Sequence, residues 1–496
     1  PMSRLQNFIN GAYVDVPEDR PTVPVTNPAD GSVIGQVPES TREDVDEAVK
    51  IAAAAQAKWG TQTYKARVQC LFKLKALMEE CQDEIVQIIR REHGKNVAEG
   101  KASLLKGIET LEWATSLPQV AAGRYLEVSQ GISCREVRDP LGVVAAIVPF
   151  NFPVMVPFWT VPIAIGCGNA VILKPSEKVP LTMTFLAKLF KQAGVPDGIF
   201  QIVHGVKPTV DALIEHPTVK AVSFVGTSRV AKLVADKARA LNKRALCLGG
   251  AKNHLCVLPD ANYDMCTTDI MNSFAGSTGQ RCMAASVCVL VGPEEKFKLF
   301  MELLVKKASA LEAGQEPGQV GPVIDQASKD KILRYISEAE SRDGAQVLVD
   351  GRAWATARPK GFWVGPTILR HGSPQNAACR EEIFGPVLSM LRVDTFDEAI
   401  AIENSNPYGN AACIYTSVGQ HSEYFLKRVS AAMLGVNIGV PVPREPFSFG
   451  GMNDSSFAAS DITGDGAMEF FTQRKKITQK WVPPQDQSVI TSSFIS

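Results

Sequence analysis

Residues 143–258 alternate short apolar runs with amphipathic stretches, which leaves few folds open to the chain. β-branched apolar runs predict strands at 143–148, 170–173, 199–203, 219–225 and 254–258. Apolar residues at helical spacing predict helices between them, over 181–193, 207–216 and 228–241. Repeated strand–helix–strand units form a parallel sheet with helices on both faces. The sequence therefore predicts an α/β protein with a doubly wound domain, an arrangement that often binds nucleotides.

A second alternating set follows residue 260 and predicts a second α/β domain. Its strands are expected at 285–291, 346–349 and 387–392, and its helices at 294–312 and 327–341. Ahead of the first set, helical spacing predicts helices over 42–58, 64–93 and 95–117. Arg124–Arg138 and Lys475–Val482 have the pattern of exposed strands. At ~150 residues per domain, the 496 residues correspond to about three domains.

The stretch Leu141–Leu173 contains no charged residue and on paper is long enough to span a bilayer. Prolines interrupt it at 149, 153, 157 and 162. They would break a membrane-spanning helix and leave backbone groups without hydrogen-bond partners in lipid. We therefore predict a buried strand, a loop and a buried helix here.

The charge balance and the cysteines argue against other classes of protein. Lys+Arg and Asp+Glu both number 52, so the chain lacks the basic excess that attracts nucleic acid or an anionic membrane. None of the 11 cysteines lies in a CxxC or near a histidine at ligand spacing, and no metal is expected. Scattered cysteines in odd number favour reduced thiols in a cytoplasmic enzyme. Residues 1–20 lack the apolar core of a signal peptide.

Two strand ends carry residues suited to a nucleotide, although the sequence has no G-x-G-x-x-G fingerprint. One strand runs into Gly226-Thr227-Ser228, where a helix N-terminus can bind a phosphate; a plain N-cap after a glycine turn is the other interpretation. Lys174 and Glu177 follow another strand and are suited to two ribose hydroxyls, with a solvated charge pair as the alternative. A carboxylate there would repel a 2′-phosphate, which favours NAD over NADP.

Three segments carry candidate catalytic groups. Cys282 lies beside Arg281 in a Gly/Ser-rich polar turn, where thiolate character and access should coincide. Asn151, between two prolines at a strand end, is a rigid donor suited to a developing oxyanion. Glu381 and Glu382 place carboxylates before an apolar turn.

In this order, these segments resemble the aldehyde dehydrogenase superfamily over nearly the whole chain, from Asn10 to Trp481. The shared motifs are PFNFP at 149–153, KPSE at 174–177, FVG at 224–226, GQRC at 279–282 and EEIFGPV at 381–387. The resemblance implies that Cys282 is the nucleophile and that Asn151 and the Cys282 backbone N–H donate to the oxyanion.

The resemblance also implies an NAD site and a division into modules. The residues expected at the cofactor are Phe150, Lys174, Glu177, Gly226, Thr227, Glu382 and Phe384. Lys174 and Glu177 would bind the adenosine ribose and Glu382 the nicotinamide ribose, whereas Ala231 replaces a family glycine in the phosphate turn. The implied modules are an NAD-binding domain (1–120 and 141–249), a catalytic domain (250–450) and oligomerisation strands (121–140 and 474–496). A homo-oligomer, either a dimer or a tetramer, is therefore expected.

Hydrolytic members of the family carry a glutamate just before a glycine pair, as the base that activates water. Here Leu248 stands at that place, or Cys247 if the frame shifts by one. Water, with a pKa near ~15.7, needs a base, whereas a thiol of pKa about 8.5 already supplies thiolate at neutral pH. The missing glutamate therefore favours coenzyme A as acyl acceptor.

The segments G-A-K-N-H and SFGG…FFTQRKKIT resemble the CoA-acylating, methylmalonate-semialdehyde branch of the family. The resemblance implies that malonate and methylmalonate semialdehydes give acetyl-CoA and propionyl-CoA with loss of CO₂.

An acidic aldehyde needs cations at its site. Arg281 matches the family's arginine beside the nucleophile, and Lys106 replaces a second arginine, which keeps the charge but loses the bidentate fork. Arg444, near Phe447, stands where an apolar pocket loop is expected. It either pairs with Glu445 at the surface or adds to the anion site. The residues expected to bind substrate are therefore Arg281, Lys106, Arg444 and Phe447.

Other functions stay open at this point. One is an aldehyde dehydrogenase that hydrolyses its thioester with a distant base such as Glu382, or an acylating enzyme for another anionic aldehyde. Another is a binding or structural protein without turnover, against which the intact Cys282 and Asn151 argue.

Overall fold

The computed structural model describes residues 4–481. The strands of this part of the chain are, in order, β1 Asn7–Ile9, β2 Ala12–Val14, β3 Thr22–Thr26, β4 Val33–Pro38, β5 Arg124–Ser129, β6 Ile132–Pro140, β7 Val143–Ile147, β8 Ala170–Lys174, β9 Phe200–Ile202, β10 Val219–Val225, β11 Arg244–Leu248, β12 Asn253–Val257, β13 Ala285–Val291, β14 Gln346–Val349, β15 Thr367–Arg370, β16 Val387–Val393, β17 Tyr408–Gly409, β18 Ala411–Tyr415, β19 Met433–Val436, β20 Met452–Asn453 and β21 Thr472–Lys480.

The helices of the same part are α1 Arg42–Trp59, α2 Tyr64–Arg67, α3 Gln69–Glu80, α4 Gln82–His93, α5 Val97–Thr115, α6 Leu117–Val120, α7 Met155–Gly166, α8 Leu181–Gln192, α9 Lys207–Glu215, α10 Ser228–Ala240, α11 Tyr263–Ala275, α12 Lys298–Ser309, α13 Gln326–Ser341, α14 Arg352–Ala357, α15 Ala377–Arg380, α16 Phe396–Asn404, α17 Gly419–Leu426 and α18 Gly464–Phe471. Short 3₁₀ turns occupy Gly276–Gly279 and Glu294–Phe297.

The first sheet has the strand order β11-β10-β7-β8-β9-β1-β2. Strands β7 to β11 are parallel, and β1 and β2 extend the edge in antiparallel fashion. The chain enters at β7, adds β8 and β9 on one side and then returns to add β10 and β11 on the other. The predicted doubly wound sheet is confirmed, with its switch point between β7 and β10.

The second sheet has the order β14-β15-β16-β13-β12-β18-β19 and confirms the second α/β unit. Its strands are parallel except for β14 at the edge. Apolar side chains pack on both of its faces, in two separate clusters.

Residues 249–252 join the two sheets, since β11 ends at Leu248 and β12 begins at Asn253. The chain thus passes directly from the carboxyl end of one sheet to the amino end of the other. The carboxyl ends of β7, β8 and β10 therefore meet the loops that enter β13 and β16.

A third, antiparallel sheet with the order β21-β6-β5 stands outside both units. Strand β21 pairs with β6 along its whole length, from Thr472 opposite Pro140 to Lys480 opposite Ile132. The predicted exposed strands are therefore present, and Tyr125 and Leu126 of β5 are each 66% exposed. Residues 482–496 of the predicted segment 474–496 lie outside the described residues.

The uncharged stretch forms β7, a loop and α7, as predicted, and every residue of α7 is buried. In residues 4–481, no helix is both long enough and apolar enough to cross a membrane.

Some predicted helix boundaries are wrong. The helix expected over 64–93 is three helices, α2 to α4, which break at Val68 and Cys81. The helix expected over 95–117 ends at Thr115, and the short helix α6 follows it, with Pro118 in the first turn, where no intrahelical N–H bond is lost. The helix expected from 294 starts as a 3₁₀ turn and becomes α-helical at Lys298.

Asn169 connects three elements of the first unit. Its Oδ1 accepts hydrogen bonds from the backbone N–H groups of Leu141 and Gly142, at 2.8 and 3.1 Å. Its Nδ2 donates to the carbonyls of Ala164 and Phe471, at 3.0 and 2.9 Å. The buried amide thus ties the end of α7, the start of β7 and the end of α18.

Replacement of Asn169 by alanine should lower the free energy of unfolding by about 3 kcal/mol, because buried backbone groups lose their partners. Urea denaturation at fixed protein concentration, followed by circular dichroism, measures the change. Asn404→Ala is the control, since this exposed asparagine also bridges two backbone groups, at Arg428 and Ser430. A loss at Asn169 no larger than at Asn404 would contradict the prediction.

Candidate active site

A cavity of about 430 Å³ lies where the two sheets meet. Its lining contains the predicted residues Phe150, Asn151, Lys174, Glu177, Gly226, Thr227, Cys282, Glu382 and Phe384. The first six stand at or just after the carboxyl ends of strands in the first sheet, and the last three precede strands of the second. The predicted substrate residues Lys106, Arg281, Arg444 and Phe447 lie outside this lining.

Cys282 follows a tight turn in which Ser277 and Thr278 have φ angles of 49° and 52°. Its carbonyl oxygen accepts hydrogen bonds from the side-chain amides of Asn253 and Asn410, at 2.8 and 2.9 Å. These bonds fix the backbone at Cys282 from the starts of β12 and β18.

Burial raises the pKa of the Cys282 thiol to about 12, and the negative charge of Glu382 adds to the shift. The backbone N–H groups of Cys282 and Met283 and the Arg281 guanidinium act in the opposite direction. The thiol is therefore protonated at neutral pH, and a positive charge brought into the cavity would favour the thiolate.

Asn151 lies on the loop after β7, beside the switch point of the first sheet. Its Oδ1 is buried and finds no hydrogen-bond partner within residues 4–481. A buried, unpaired polar atom calls for an explanation, and active sites commonly provide one. Oδ1 can only accept, but the residue lines the cavity with Cys282, and its Nδ2 can donate to an oxygen that gains charge there.

Lys174 and Glu177 stand at the carboxyl end of β8. Lys174 Nζ donates to the carbonyl of Gly205 at 2.9 Å and lies 3.3 Å from Glu177 Oε2. Lys174 is buried, and burial lowers its pKa. The alternative of a solvated charge pair is therefore wrong, because Lys174 is buried.

Gly226 and Thr227 connect β10 to α10. The Thr227 side chain does not cap the helix, so the first-turn N–H groups of α10 are available to an anion. The Ser228 hydroxyl instead accepts a hydrogen bond from Gly250 N at 2.9 Å. A Cβ at Gly226 would lie 2.6 Å from the Phe224 ring, which explains the glycine.

Glu382 reaches the cavity from the loop before β16. Its Oε1 accepts a hydrogen bond from Ala251 N at 2.9 Å. Burial raises its pKa, and the nearby Lys331 and Lys252 oppose the shift. A Cβ at Gly250 would lie 2.5 Å from Glu382 Oε2, so the glycine permits the close approach.

Phe150 and Phe384 form an edge-to-face pair with centroids 5.9 Å apart. Phe384 has a φ of 58°, a left-handed conformation that costs about 1–3 kcal/mol in a residue other than glycine. Such strain is typical of functional sites, and the two rings suit a flat ligand group.

Leu248, at the end of β11, is buried in the core of the first unit. Neither it nor Cys247 contributes to the cavity lining, whose carboxylates are those of Glu177 and Glu382. The cavity therefore has no carboxylate from the segment before the glycine pair.

Arg281 is directed away from this cavity. Its Nη2 donates to the carbonyls of Asn272 and Ser273 in the last turn of α11, the latter at 2.9 Å. A Cβ at Gly276 would collide with the guanidinium, so the glycine leaves room for it. Arg281 thus braces α11 against the turn that precedes Cys282.

Of the other predicted substrate residues, Lys106 lies on α5. Lys106 pairs with Glu109 at 2.6 Å. Glu445 Oε1 accepts a hydrogen bond from Thr110, one turn beyond Lys106, at 3.2 Å. The alternative of an Arg444–Glu445 surface pair is wrong, because Glu445 is turned towards α5. Arg444 and Phe447 are both exposed, Phe447 to 74%.

Two site residues escaped the sequence analysis. Lys331 of α13 lines the cavity and donates to the Glu382 backbone carbonyl at 2.9 Å. Asn410 binds the Cys282 carbonyl. Both are single polar residues without a motif of their own, whereas Asn253 stands in the G-A-K-N-H segment already noted.

The chain is similar to known proteins over most of its length. The profile described as the aldehyde dehydrogenase family matches residues 15–477. A malonate-semialdehyde dehydrogenase of Geobacillus kaustophilus (strain HTA426) is 42% identical, with 96% of this chain and 99% of the relative covered.

Two crystal structures are also similar. The methylmalonate-semialdehyde dehydrogenase of Oceanimonas doudoroffii superposes with a TM-score of 0.94 at 38% identity, over 98% of this chain and 99% of that one. A proposed methylmalonate-semialdehyde dehydrogenase of Sinorhizobium meliloti 1021, complexed with NAD, gives 0.95 at 37% identity, over 97% and 99%.

Glu382→Gln should make Cys282 more reactive, because a negative charge near the sulfur is removed and the thiol pKa falls. We expect the rate of Cys282 alkylation by iodoacetamide at pH 8 to rise about threefold or more, since the thiolate is the reactive form. Mass spectrometry of the labelled peptide gives the rate. Glu177→Gln is the control, because Glu177 lies in the same cavity but does not contribute to the raised pKa of Cys282. An unchanged or slower rate in Glu382→Gln would refute the electrostatic link.

Proposed function

Because the chain belongs to the aldehyde dehydrogenase family, we propose that it oxidises a small acidic semialdehyde with NAD and transfers the acyl group to coenzyme A. The proposed substrates are malonate and methylmalonate semialdehyde, and the products are acetyl-CoA and propionyl-CoA with loss of CO₂. The observation that carries this proposal is the shared cavity of Cys282 and Asn151, which lacks a carboxylate from position 248. The names of the full-length relatives support the substrate class.

The proposed NAD site follows the carboxyl ends of the first sheet. The uncapped N-terminus of α10, after Gly226 and Thr227, suits the diphosphate. Lys174 and Glu177 suit the adenosine ribose, and the carboxylate disfavours a 2′-phosphate. Glu382 is proposed for the nicotinamide ribose, and the Phe150–Phe384 pair for the flat ring. When bound, NAD supplies the hydride acceptor.

The chemistry begins when Cys282 Sγ attacks the aldehyde carbon as a thiolate and the carbonyl oxygen becomes an oxyanion. The Asn151 amide and the Cys282 backbone N–H are proposed to donate to this oxyanion. Collapse of the tetrahedral species releases hydride and leaves a thioester on Cys282.

Loss of CO₂ follows from the thioester. The carboxylate then lies β to a thioester carbonyl, so the C–C bonding electrons can move onto the carbonyl oxygen as an enolate. The donors that bind the first oxyanion also suit this one. Protonation of the enolate carbon gives acetyl-Cys282 from malonate semialdehyde.

The acyl group then leaves to a thiol rather than to water. Thiolate is present at neutral pH without a strong base, whereas water needs one. Attack by the CoA thiolate regenerates Cys282. The sum, semialdehyde with NAD⁺ and CoA to acetyl-CoA, CO₂ and NADH, balances in atoms and charge.

Cations beside α5 are proposed to bind the substrate carboxylate. Lys106 and Thr110 share one helix face, and Glu445 contacts that face through Thr110. The loop with Arg444 and Phe447 is therefore next to Lys106. Arg281 is proposed to contribute its positive charge from behind the nucleophile.

The remaining modules are proposed as implied by the resemblance. Residues 1–120 and 141–249 would form the NAD-binding domain and residues 250–450 the catalytic domain. Residues 121–140 and 474–496 would join subunits into a dimer or tetramer, since apolar side chains of β5 are exposed. All 11 cysteines are free thiols, which suits the proposed cytoplasmic location.

Hydrolysis is the second candidate function, because Glu382 lies in the same cavity with a raised pKa. A raised pKa makes the Glu382 carboxylate a stronger base than an ordinary glutamate, so it would accept a proton from water if the ribose contact were released. This candidate needs no coenzyme A.

Malonate semialdehyde and NAD should support repeated NADH release only when CoA is present, and mass spectrometry should identify acetyl-CoA. Cys282→Ala should lose NADH formation, whereas Cys288→Ala, at a buried cysteine of β13, should retain most of it. Equal turnover without CoA, with a free acid as product, would favour the hydrolytic candidate.

Lys106→Met should raise KM for malonate semialdehyde about tenfold, the equivalent of ~1.4 kcal/mol from one charged hydrogen bond. KM for the neutral aldehyde propanal should stay within about twofold, because no carboxylate is involved. Lys101→Met, an exposed site on the same helix, is the control. Similar rises for both aldehydes would show that Lys106 does not bind the carboxylate.

A further inference from the structure

Lys95 is a buried lysine close to the reaction centre whose role is not explained by the proposed chemistry. Lys95 directly follows Gly94, which ends α4 in a left-handed conformation. Only 2% of Lys95 is exposed to solvent. It does not line the cavity. Burial lowers its pKa to about 7, which reflects the cost of an ammonium in this place.

The ammonium contacts two segments. Lys95 Nζ donates to Ser277 Oγ at 2.8 Å. It also lies 4.4 Å from the centroid of the Phe152 ring, a favourable cation–π geometry. Ser277 belongs to the turn before Cys282, and Phe152 directly follows Asn151.

The turn that receives this hydrogen bond is strained. Ser277 and Thr278 both have left-handed φ angles, of 49° and 52°, each at a cost of about 1–3 kcal/mol. Such a conformation persists only when surrounding contacts hold it. Glu99 Oε1 accepts from the Ser277 backbone N–H at 2.6 Å, while Lys95 binds the hydroxyl.

Lys95 and Glu99 therefore hold the hydroxyl and the backbone N–H of Ser277 from the start of α5. Asn96 caps that helix and exchanges hydrogen bonds with Glu99, which fixes the carboxylate. The negative charge of Glu99 also favours the Lys95 ammonium, whereas the positive charge of Arg281 disfavours it.

We propose that Lys95 is a positioning residue for the oxidation step, which sets the turn of the nucleophile Cys282 against the loop that carries the oxyanion donor Asn151. It touches neither substrate nor cofactor and acts through Ser277 and Phe152. This inference rests on the proposed role of Cys282. A displacement of about 1 Å between nucleophile and donors can slow a reaction about a hundredfold.

The first variant is Lys95→Met, which removes the ammonium but keeps an unbranched stem against Phe152. We expect kcat for NADH formation to fall at least about tenfold, with KM for NAD within about twofold of the original value. The rate of Cys282 alkylation by iodoacetamide should rise about threefold or more, because a released turn makes the half-buried Cys282 more accessible to the reagent.

Ser277→Ala removes the acceptor and leaves Lys95 in place, so it tests the same link if Lys95→Met folds poorly. It should reproduce the fall in kcat. The double variant Lys95→Met/Ser277→Ala should be no slower than Lys95→Met, since each substitution removes the same Lys95–Ser277 hydrogen bond. Additive losses in the double variant would overturn the proposal.

Lys243→Met is the matched control. Lys243 is 9% exposed, burial lowers its pKa to about 8, and it donates to the carbonyl of His216, remote from the nucleophile's turn. It should keep kcat and the alkylation rate within about twofold.

The proposal is overturned if Lys95→Met keeps kcat and alkylation within twofold of the original, or if Lys243→Met shows equal changes. Failure of the proposed function has a different signature. Turnover in Cys282→Ala would remove the nucleophile assignment, and a free-acid product would change the acceptor, but neither alters the measured effect of Lys95 on alkylation.

Discussion

The short connection between β11 and β12 determines where the cavity of the proposed active site lies. Residues 249–252 are too few to let the two sheets separate, so the carboxyl end of one sheet meets the amino end of the other. The connection fits because glycine stands at 249 and 250. A Cβ at Gly249 would lie 2.5 Å from Ser228 Oγ, and a Cβ at Gly250 equally close to Glu382. Larger side chains would push α10 and the β16 loop out of the cavity.

The meeting of the sheets creates a place that burial alone makes unfavourable for a thiolate. The pKa of Cys282 is raised to about 12 by burial and by Glu382. Reactivity is then expected to depend on what enters: a cationic ring would favour the thiolate, and Asn151 would bind the oxyanion that follows. The same cavity lacks a carboxylate from position 248. We therefore expect a thioester formed there to be hydrolysed slowly and to react more readily with a thiol.

The sequence was sufficient for the fold and for residues whose roles depend on local context. The doubly wound sheet follows from the period of its apolar residues, and Cys282 and Asn151 stand in recognisable segments. Directions of long side chains were beyond prediction, because distant packing decides them. Arg281 turns towards α11, where Gly276 leaves space. Lys95 stands in a charged run typical of solvent, yet it is buried against Ser277, 182 residues away.

If no base activates water and CoA is the acceptor, the acyl group should stay on Cys282 until CoA arrives. The enzyme can be mixed with malonate semialdehyde and NAD in the absence of CoA, quenched in acid and analysed by peptide mass spectrometry. An acetyl group should accumulate on Cys282 close to stoichiometrically and disappear when CoA is added. Rapid formation of free acid with unmodified Cys282 would contradict the thioester held for transfer to CoA.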